Sequence, residues 1–245
     1  MILYFSATGN SKYVAEEIAK KTDDKAVSIL EAGDTIQITE NEKLGIIAPT
    51  YYLGLPAIVD KFLDKVKIAG ADKAYIYVIA TYGNLCGSAC TMMQKHLEKK
   101  NLQVSAKYSV RMPDTWTPMF DVSDKEKIAQ LNRDEIPQME EIITHIKNND
   151  CGDFSKDTAP MLLSKVYHRI YEFARKTSKF QVEEQCIGCG LCAKQCPIQA
   201  IEIKDGRPIW KEEKCETCLG CLHHCPKFAI QYGKNTKKHG QYIHP

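Results

Sequence analysis

Short apolar runs alternate with helix-length amphipathic stretches through the first 150 residues. Ile2–Phe5, Ala26–Leu30, Leu44–Ala48 and Ala74–Thr81 are nearly continuous apolar runs, as strands covered on both faces of a parallel sheet require. Between them Asn10–Lys21 reads as a helix with Val14 and Ile18 on one face. Pro56 marks a second helix start, followed by Ile58, Val59, Phe62, Leu63 and Val66 at helical spacing. Leu102, Val104, Ala106, Tyr108 and Val110 alternate with more polar residues, as in a half-exposed edge strand. Five β–α units in succession predict an α/β fold with a five-stranded, doubly wound parallel sheet. Beyond it the pattern predicts a helix over 124–147 with a break near Pro137, a turn at 148–152 and a helix over 160–179. That last helix carries Leu162, Val166, Ile170 and Phe173 as an apolar stripe beside Lys165, Arg169, Arg175, Lys176 and Lys179. A docking helix with a solvated basic face explains it more simply than a membrane-surface helix.

A chain of 245 residues suits two domains. Its 44% apolar and 26% charged content excludes disorder, and a net charge of +2 gives no electrostatic footprint for nucleic acid. The longest apolar run, Ala74–Ala80, is far short of the ~20 residues of a membrane span, so no stable membrane insertion is expected. A strand beginning at Met1 leaves no room for a signal peptide, and a cytoplasmic location is expected. The unusual count is eleven cysteines. Eight lie between Cys186 and Cys225, while Cys86, Cys90 and Cys151 stand apart. An odd number in a chain without secretion signals disfavours a disulfide scaffold and points to metal in a reducing compartment.

The eight follow one spacing twice: Cys186-x2-Cys189-x2-Cys192-x3-Cys196-Pro197, then Cys215-x2-Cys218-x2-Cys221-x3-Cys225-Pro226. CPIQAIEI aligns with CPKFAIQY, so the segment is an internal duplication. Zinc also uses C-x2-C pairs, but not a third cysteine at the same step followed by C-P. Residues 180–233 resemble a bacterial-type ferredoxin domain with two [4Fe–4S] clusters. In that resemblance each fourth thiolate comes from the other repeat. It implies Cys186, Cys189, Cys192 and Cys225 for one cluster, and Cys215, Cys218, Cys221 and Cys196 for the other. Gly188, Gly190 and Gly220 let the loops curl round the core, and Ile198, Ala200, Ile201, Phe228 and Ile230 form a small apolar core. His223 and His224 are expected to be exposed neighbours, not ligands.

The turn after the first strand, Ser6-Ala7-Thr8-Gly9-Asn10-Ser11, puts hydroxyls, an amide and free N–H groups at a helix start, an anion site by charge and dipole. It is neither the G-x-G-x-x-G fingerprint nor a P-loop. It resembles the phosphate loop of flavodoxins. The turns Pro49-Thr50-Tyr51-Tyr52-Leu53-Gly54 and Thr81-Tyr82-Gly83-Asn84-Leu85-Cys86-Gly87 fall where that family holds its isoalloxazine, and FMN is the implied cofactor. The match departs at Ala7, which lacks a hydroxyl, and in the absence of acidic residues from these turns. In flavodoxins a glycine-containing peptide beside the ring rotates on reduction, which points to Leu53-Gly54. Cys86 and Cys90 are expected to be ordinary buried thiols, with a redox pair between them or flavin contact by Cys86 as the alternatives. His96 and His145 fall on polar helix faces, and Cys151 receives no role.

The apolar segment 112–120, with Trp116 and Phe120, is expected to cover the flavin or form the interdomain surface. Residues 1–150 form the flavin domain, 151–179 a linker with the helix, 180–233 the cluster domain and 234–245 a frayed tail. The linker helix is expected to return Cys186 towards the flavin. The combination resembles the flavodoxin–ferredoxin fusion proteins of anaerobes. It implies electron transfer among FMN, two clusters and redox partner proteins, with oxygen sensitivity. A flavin-dependent reductase of a quinone, flavin or disulfide is the alternative, and a sensor with structural clusters a third. No set of residues is placed for acid–base catalysis. Between Cys186 and Gly233 five acidic and six basic residues leave no acidic docking face, so a partner is expected at the flavin domain. The oligomeric state is open.

Overall fold

The computed structural model describes residues 1–245. In chain order the first part comprises β1 (Ile2–Tyr4), α1 (Asn10–Thr22), β2 (Ala26–Ser28), β3 (Thr35–Gln37), β4 (Leu44–Pro49), α2 (Ala57–Lys65), β5 (Lys67–Ala69), β6 (Ile76–Tyr82), α3 (Ala89–Glu98), β7 (Ala106–Arg111), α4 (Lys125–Asn148) and β8 (Gly152–Asp153). Six parallel strands lie in the order β2-β1-β4-β6-β7-β8. The sheet therefore has one strand more than its pattern predicts. The addition is β8, two residues without an apolar signature, which pairs with β7 and removes β7 from the edge. A separate pair, β3 with β5, also escapes the pattern because only Ile36 of β3 is buried.

Apolar packing on both faces makes the sheet doubly wound. Leu55, Val59, Leu63, Met93 and Leu97 cover one side from α2, α3 and the turn leading into α2. Val14, Ile18, Met139, Ile142 and Ile146 cover the other from α1 and α4. α4 runs through Pro137 without a break. Pro137 is exposed, so the carbonyl it leaves unpaired can be met by water. The chain moves outward from β1 to β2, then crosses back to β4 on the other side. That reversal opens a crevice at the carboxyl ends of β1 and β4.

The second part comprises α5 (Met161–Ala174), a 3-10 turn (Thr177–Lys179), β9 (Phe180–Val182), α6 (Leu191–Lys194), β10 (Ile201–Lys204), β11 (Arg207–Trp210), α7 (Gly220–His223), β12 (Ile230–Tyr232) and α8 (Thr236–His239). β9 pairs with β12 and β10 with β11, both antiparallel. Leu219, Leu222, Ile230 and Tyr232 fill their small core.

α5 docks by the face opposite to the expected one. Ser164, Tyr171 and Arg175 are buried while Leu162, Val166, Ile170 and Phe173 stay exposed. Hydrogen bonds hold the inward face. The His168 Nε2–H donates to the Leu55 carbonyl at 2.8 Å. Arg175 donates to the Cys215 carbonyl at 2.8 Å and to the Glu216 carboxylate at 2.9 Å. The other carboxylate oxygen of Glu216 accepts from the Ile58 N–H at 3.0 Å and from the Tyr171 hydroxyl at 3.1 Å. Glu216 thus joins the first turn of α2, the linker helix and the second cysteine loop.

The last residues are not frayed. Gln241 donates to the carbonyls of Leu222 and Cys225, and the Tyr242 N–H to His223 Nδ1. The His244 N–H reaches the Thr8 carbonyl at 2.8 Å, and its ring meets buried Glu135 at 2.6 Å. The run of lysines masked these inward-facing residues.

Removing one partner of a buried ion pair leaves the other charge uncompensated, at a cost of about 3–5 kcal/mol. Glu216→Ala is therefore expected to lower unfolding stability by about that amount, read from denaturant titration; a loss under about 1 kcal/mol, the size of an exposed pair, contradicts the hub role.

Candidate functional site

The crevice holds a cavity of about 300 Å³, at the small end of the range for ligand sites. Ser6, Ala7, Thr8, Asn10 and Ser11 form its floor after β1. Pro49, Thr50, Tyr51, Tyr52 and Leu53 flank it from the end of β4 and the turn beyond, and Thr81, Tyr82, Gly83 and Asn84 from the end of β6 and its turn. Three predicted turns thus meet at one place. Gly9, Gly54, Cys86 and Gly87 are not on the wall. Gly9 has φ 100° and lies against the C-terminal strap, where a Cβ would come 2.8 Å from His244 Cβ. Gly54 faces α5, where a Cβ would meet His168 at 2.6 Å. Gly87 packs on the Leu53 backbone, and Cys86 is fully buried in the core. The left-handed residues of this turn are Tyr52 and Leu53 (φ 48° and 62°), and Tyr51 and Gly54 exchange two backbone hydrogen bonds. Leu53, not Gly54, therefore carries the unusual backbone.

The floor is organised before any ligand arrives. The Gly9 N–H donates to Ser6 Oγ at 3.2 Å, and the Ser11 and Thr81 hydroxyls lie 2.8 Å apart, tying α1 to β6. Asn10 donates its amide to the Pro113 carbonyl at 3.0 Å, while its buried Oδ1 has no partner. An orphaned acceptor on the wall fits a ligand that brings a donor.

The segment after β7 supplies the remaining wall. Trp116 and Phe120 line the cavity, and Trp116 also meets Tyr52 at 5.8 Å and Tyr232 at 5.6 Å. It is cavity wall and interdomain surface at once. Asp114 brings the carboxylate that the predicted turns lack. Burial pushes its carboxyl up, opposed by bonds from the Trp116 N–H and the Asn84 amide. Nothing local marks Asp114; only tertiary placement beside Gly83, where a Cβ would lie 2.3 Å from its own, brings it here. Leu85, Met119, Tyr167, Thr217 and Cys218 complete the site.

The eight clustered cysteines gather in two groups. Cys186, Cys189, Cys192 and Cys225 line one small cavity, and Cys196, Cys215, Cys218 and Cys221 another. Each set draws three residues from one repeat and one from the other. Backbone N–H groups of Ala200, Thr217 and Ala229 donate to the sulfurs of Cys196, Cys215 and Cys225, each at 3.2 Å. Left-handed residues recur at the repeat interval: Gly188 and Thr217, Gly190 and Leu219, Gln199 and Phe228. The second loop thus adopts glycine-like backbone at Thr217 and Leu219. Gly220 serves close approach instead, since a Cβ there would lie 3.2 Å from the Ala7 carbonyl oxygen. Burial pushes the Cys215 thiol up to about 11 and Cys218 to about 12, so neutral thiols are favoured unless cations compensate. Four thiols border each small cavity, the donor set that an iron–sulfur core uses.

The group that reaches the crevice is the one containing Cys218, not the one containing Cys186. His223 is buried, donating from Nε2 to the Thr115 carbonyl at 2.9 Å, and His224 donates to Ala7 at 3.1 Å. They are interdomain contacts rather than exposed neighbours. His96 is also buried, 2.7 Å from Asp60, and His145 stacks on Phe154. Cys90 donates to the Tyr108 carbonyl at 3.1 Å deep in the core, and Cys151 is exposed.

The flavodoxin domain model matches residues 1–140, and the 4Fe-4S dicluster domain model matches 185–230. An uncharacterized polyferredoxin-like protein of Methanocaldococcus jannaschii is 40% identical over 68 residues, 22% of this chain and 40% of that protein. A ferredoxin of Pyrobaculum islandicum is 41% identical over 51 residues, 20% of this chain and 46% of that protein. The chain spans less than half the length of these two relatives. An archaeal flavodoxin structure aligns with 59% of this chain and 97% of its own at 16% identity and TM-score 0.36. The rubredoxin oxygen:oxidoreductase of Desulfovibrio gigas aligns with 60% of this chain and 36% of its own at 13% identity and TM-score 0.38. The first domain points to a flavin and the second to iron–sulfur clusters. Losing one hydrogen-bond acceptor on the cavity wall, Asn10→Ala, is expected to weaken flavin binding roughly tenfold in a fluorescence titration of the apoprotein; an unchanged Kd contradicts this role. With its six-stranded parallel sheet, its hydroxyl-rich turn at the switch point and the family match over residues 1–140, the chain belongs to the flavodoxin domain family and carries a 4Fe-4S dicluster domain behind it.

Proposed function

We propose that the crevice cavity binds FMN, that each cysteine quartet holds one [4Fe–4S] cluster, and that the protein relays electrons between them and redox partner proteins. The flavin exchanges electrons in pairs or singly, and each cluster exchanges one. In this reading residues 1–150 form the flavin unit, 151–179 the connecting helix and 180–233 the cluster unit, with 234–245 as a strap between them.

One observation carries the relay: Thr217 and Cys218 are part of the flavin cavity wall. A thiol of the inner quartet and the turns assigned to FMN therefore line one and the same cavity. The outer quartet meets solvent, where Cys189 is exposed and Ile187 is 60% exposed. That arrangement orders the centres as flavin, inner quartet, outer quartet and partner. It moves the expected partner contact from the flavin domain to the surface around Ile187. The N–H groups directed at Cys196, Cys215 and Cys225 stabilise thiolate charge, one of the levers that set cluster potential. Trp116, Tyr52 and Phe120 give the cavity wall aromatic surface for the ring.

Anaerobic iron, sulfide and flavin analysis is expected to give about eight irons, about eight sulfides and about one FMN per chain. Bound zinc in place of iron, or about four irons, contradicts the two-cluster assignment, and FAD in place of FMN contradicts the flavin assignment.

A further inference from the structure

The outward face of α5 is apolar over its whole length. Leu162 is 76% exposed, Phe173 75% and Val166 52%, and Leu163, Tyr167 and Ile170 complete the surface. Those exposures amount to a patch on the order of 700 Å². The largest patch on a typical monomer is ~300–600 Å², and a stable interface takes ~800 Å² from each partner. The helix is not loosely attached: its opposite face is pinned through His168, Tyr171 and Arg175, so it cannot roll this surface inward.

We infer that a second copy of this chain covers the surface, through an antiparallel pairing of the two α5 helices about a two-fold axis. The area comes close to what such an interface needs, and the spacing is self-complementary. Leu163 and Ile170 form one line at seven-residue spacing, and Val166 and Phe173 form the other, the two core positions of a heptad. In an antiparallel pair each member of one line meets a member of the other. Val166 then packs on Ile170 of the second copy and Leu163 on Phe173 of the second copy, which makes the contact isologous and closed. Arg169 falls on the flank, where its charge stays in water. The nearest carboxylate, Glu172, is already held by Arg175 and Lys214.

The surface continues towards the flavin cavity. Tyr167 lies both on α5 and on the cavity wall, beside Leu85 (50% exposed) and Met119 (70% exposed). A second copy seated on α5 would extend over this mouth and shield it from solvent, leaving the outer cysteine quartet as the open route. This last consequence depends on the flavin assignment; the pairing does not.

Sedimentation velocity on the anaerobic holoprotein is expected to give twice the mass of one chain at micromolar concentration. Val166→Glu should raise the dimer dissociation constant at least roughly tenfold, with iron and flavin content reporting that the variant is folded. The register gives a stricter test: Val166→Glu mixed with Ile170→Lys should restore pairing, because the two new charges face each other. A monomeric wild type, a dimer that Val166→Glu leaves intact, or a mixture that stays dissociated overturns the proposal. Capture of the wild type, but not of Val166→Glu, by vesicles of phosphatidylglycerol and phosphatidylcholine would also overturn it by assigning the surface to lipid.

Discussion

A single buried carboxylate holds the arrangement of the two cofactor units. Glu216 is 2% exposed, and within about one hydrogen-bond length it meets the start of α2, the Tyr171 hydroxyl and the Arg175 guanidinium. A carboxylate in that environment is tolerated because the guanidinium offsets its charge and the N-terminal dipole of α2 adds to it. Since Glu216 lies between Cys215 and Thr217, fixing it fixes the second cysteine loop against the crevice. Gly220 then allows that loop to touch Ala7, and His223 and His224 add two further bonds across the boundary.

The same constraint accounts for the orientation of α5. Apolar burial alone would turn Leu162, Val166 and Phe173 inward. The helix instead presents the residues that satisfy Glu216 and the Leu55 carbonyl, and its apolar stripe is left outward. The hydrophobic surface left over is what a second copy would cover. Positioning of the redox centres and the proposed assembly are thus two faces of one short helix.

Much of this is legible in the chain. Strand runs such as Ala74–Thr81 and the helix over 10–21 appear where periodicity puts them, because the core they bury is local to each β–α unit. The cysteine sets are readable because ligand spacing is a property of one loop and its duplicate. Long-range polar pairing is not. Glu216 looks like any exposed acid beside a cysteine, and Asp114 acquires its place only through the chain's return after β7. The amphipathic stripe of α5 is visible in the sequence but its direction is not, since periodicity reports which residues share a face and not which face is buried. The C-terminal strap is hidden by its lysines.

In the relay we propose, flavin and clusters exchange electrons inside one chain, through the wall that Cys218 and Thr217 share with the crevice. Stopped-flow mixing of the anaerobic protein with a limiting reductant, followed at flavin and cluster wavelengths over a range of protein concentrations, tests it directly. The arrangement predicts that, after the initial reduction, electrons redistribute between clusters and flavin with one first-order rate constant that does not change with protein concentration. A redistribution rate that rises in proportion to protein concentration would show that electrons pass only between molecules, and would rule out the internal relay.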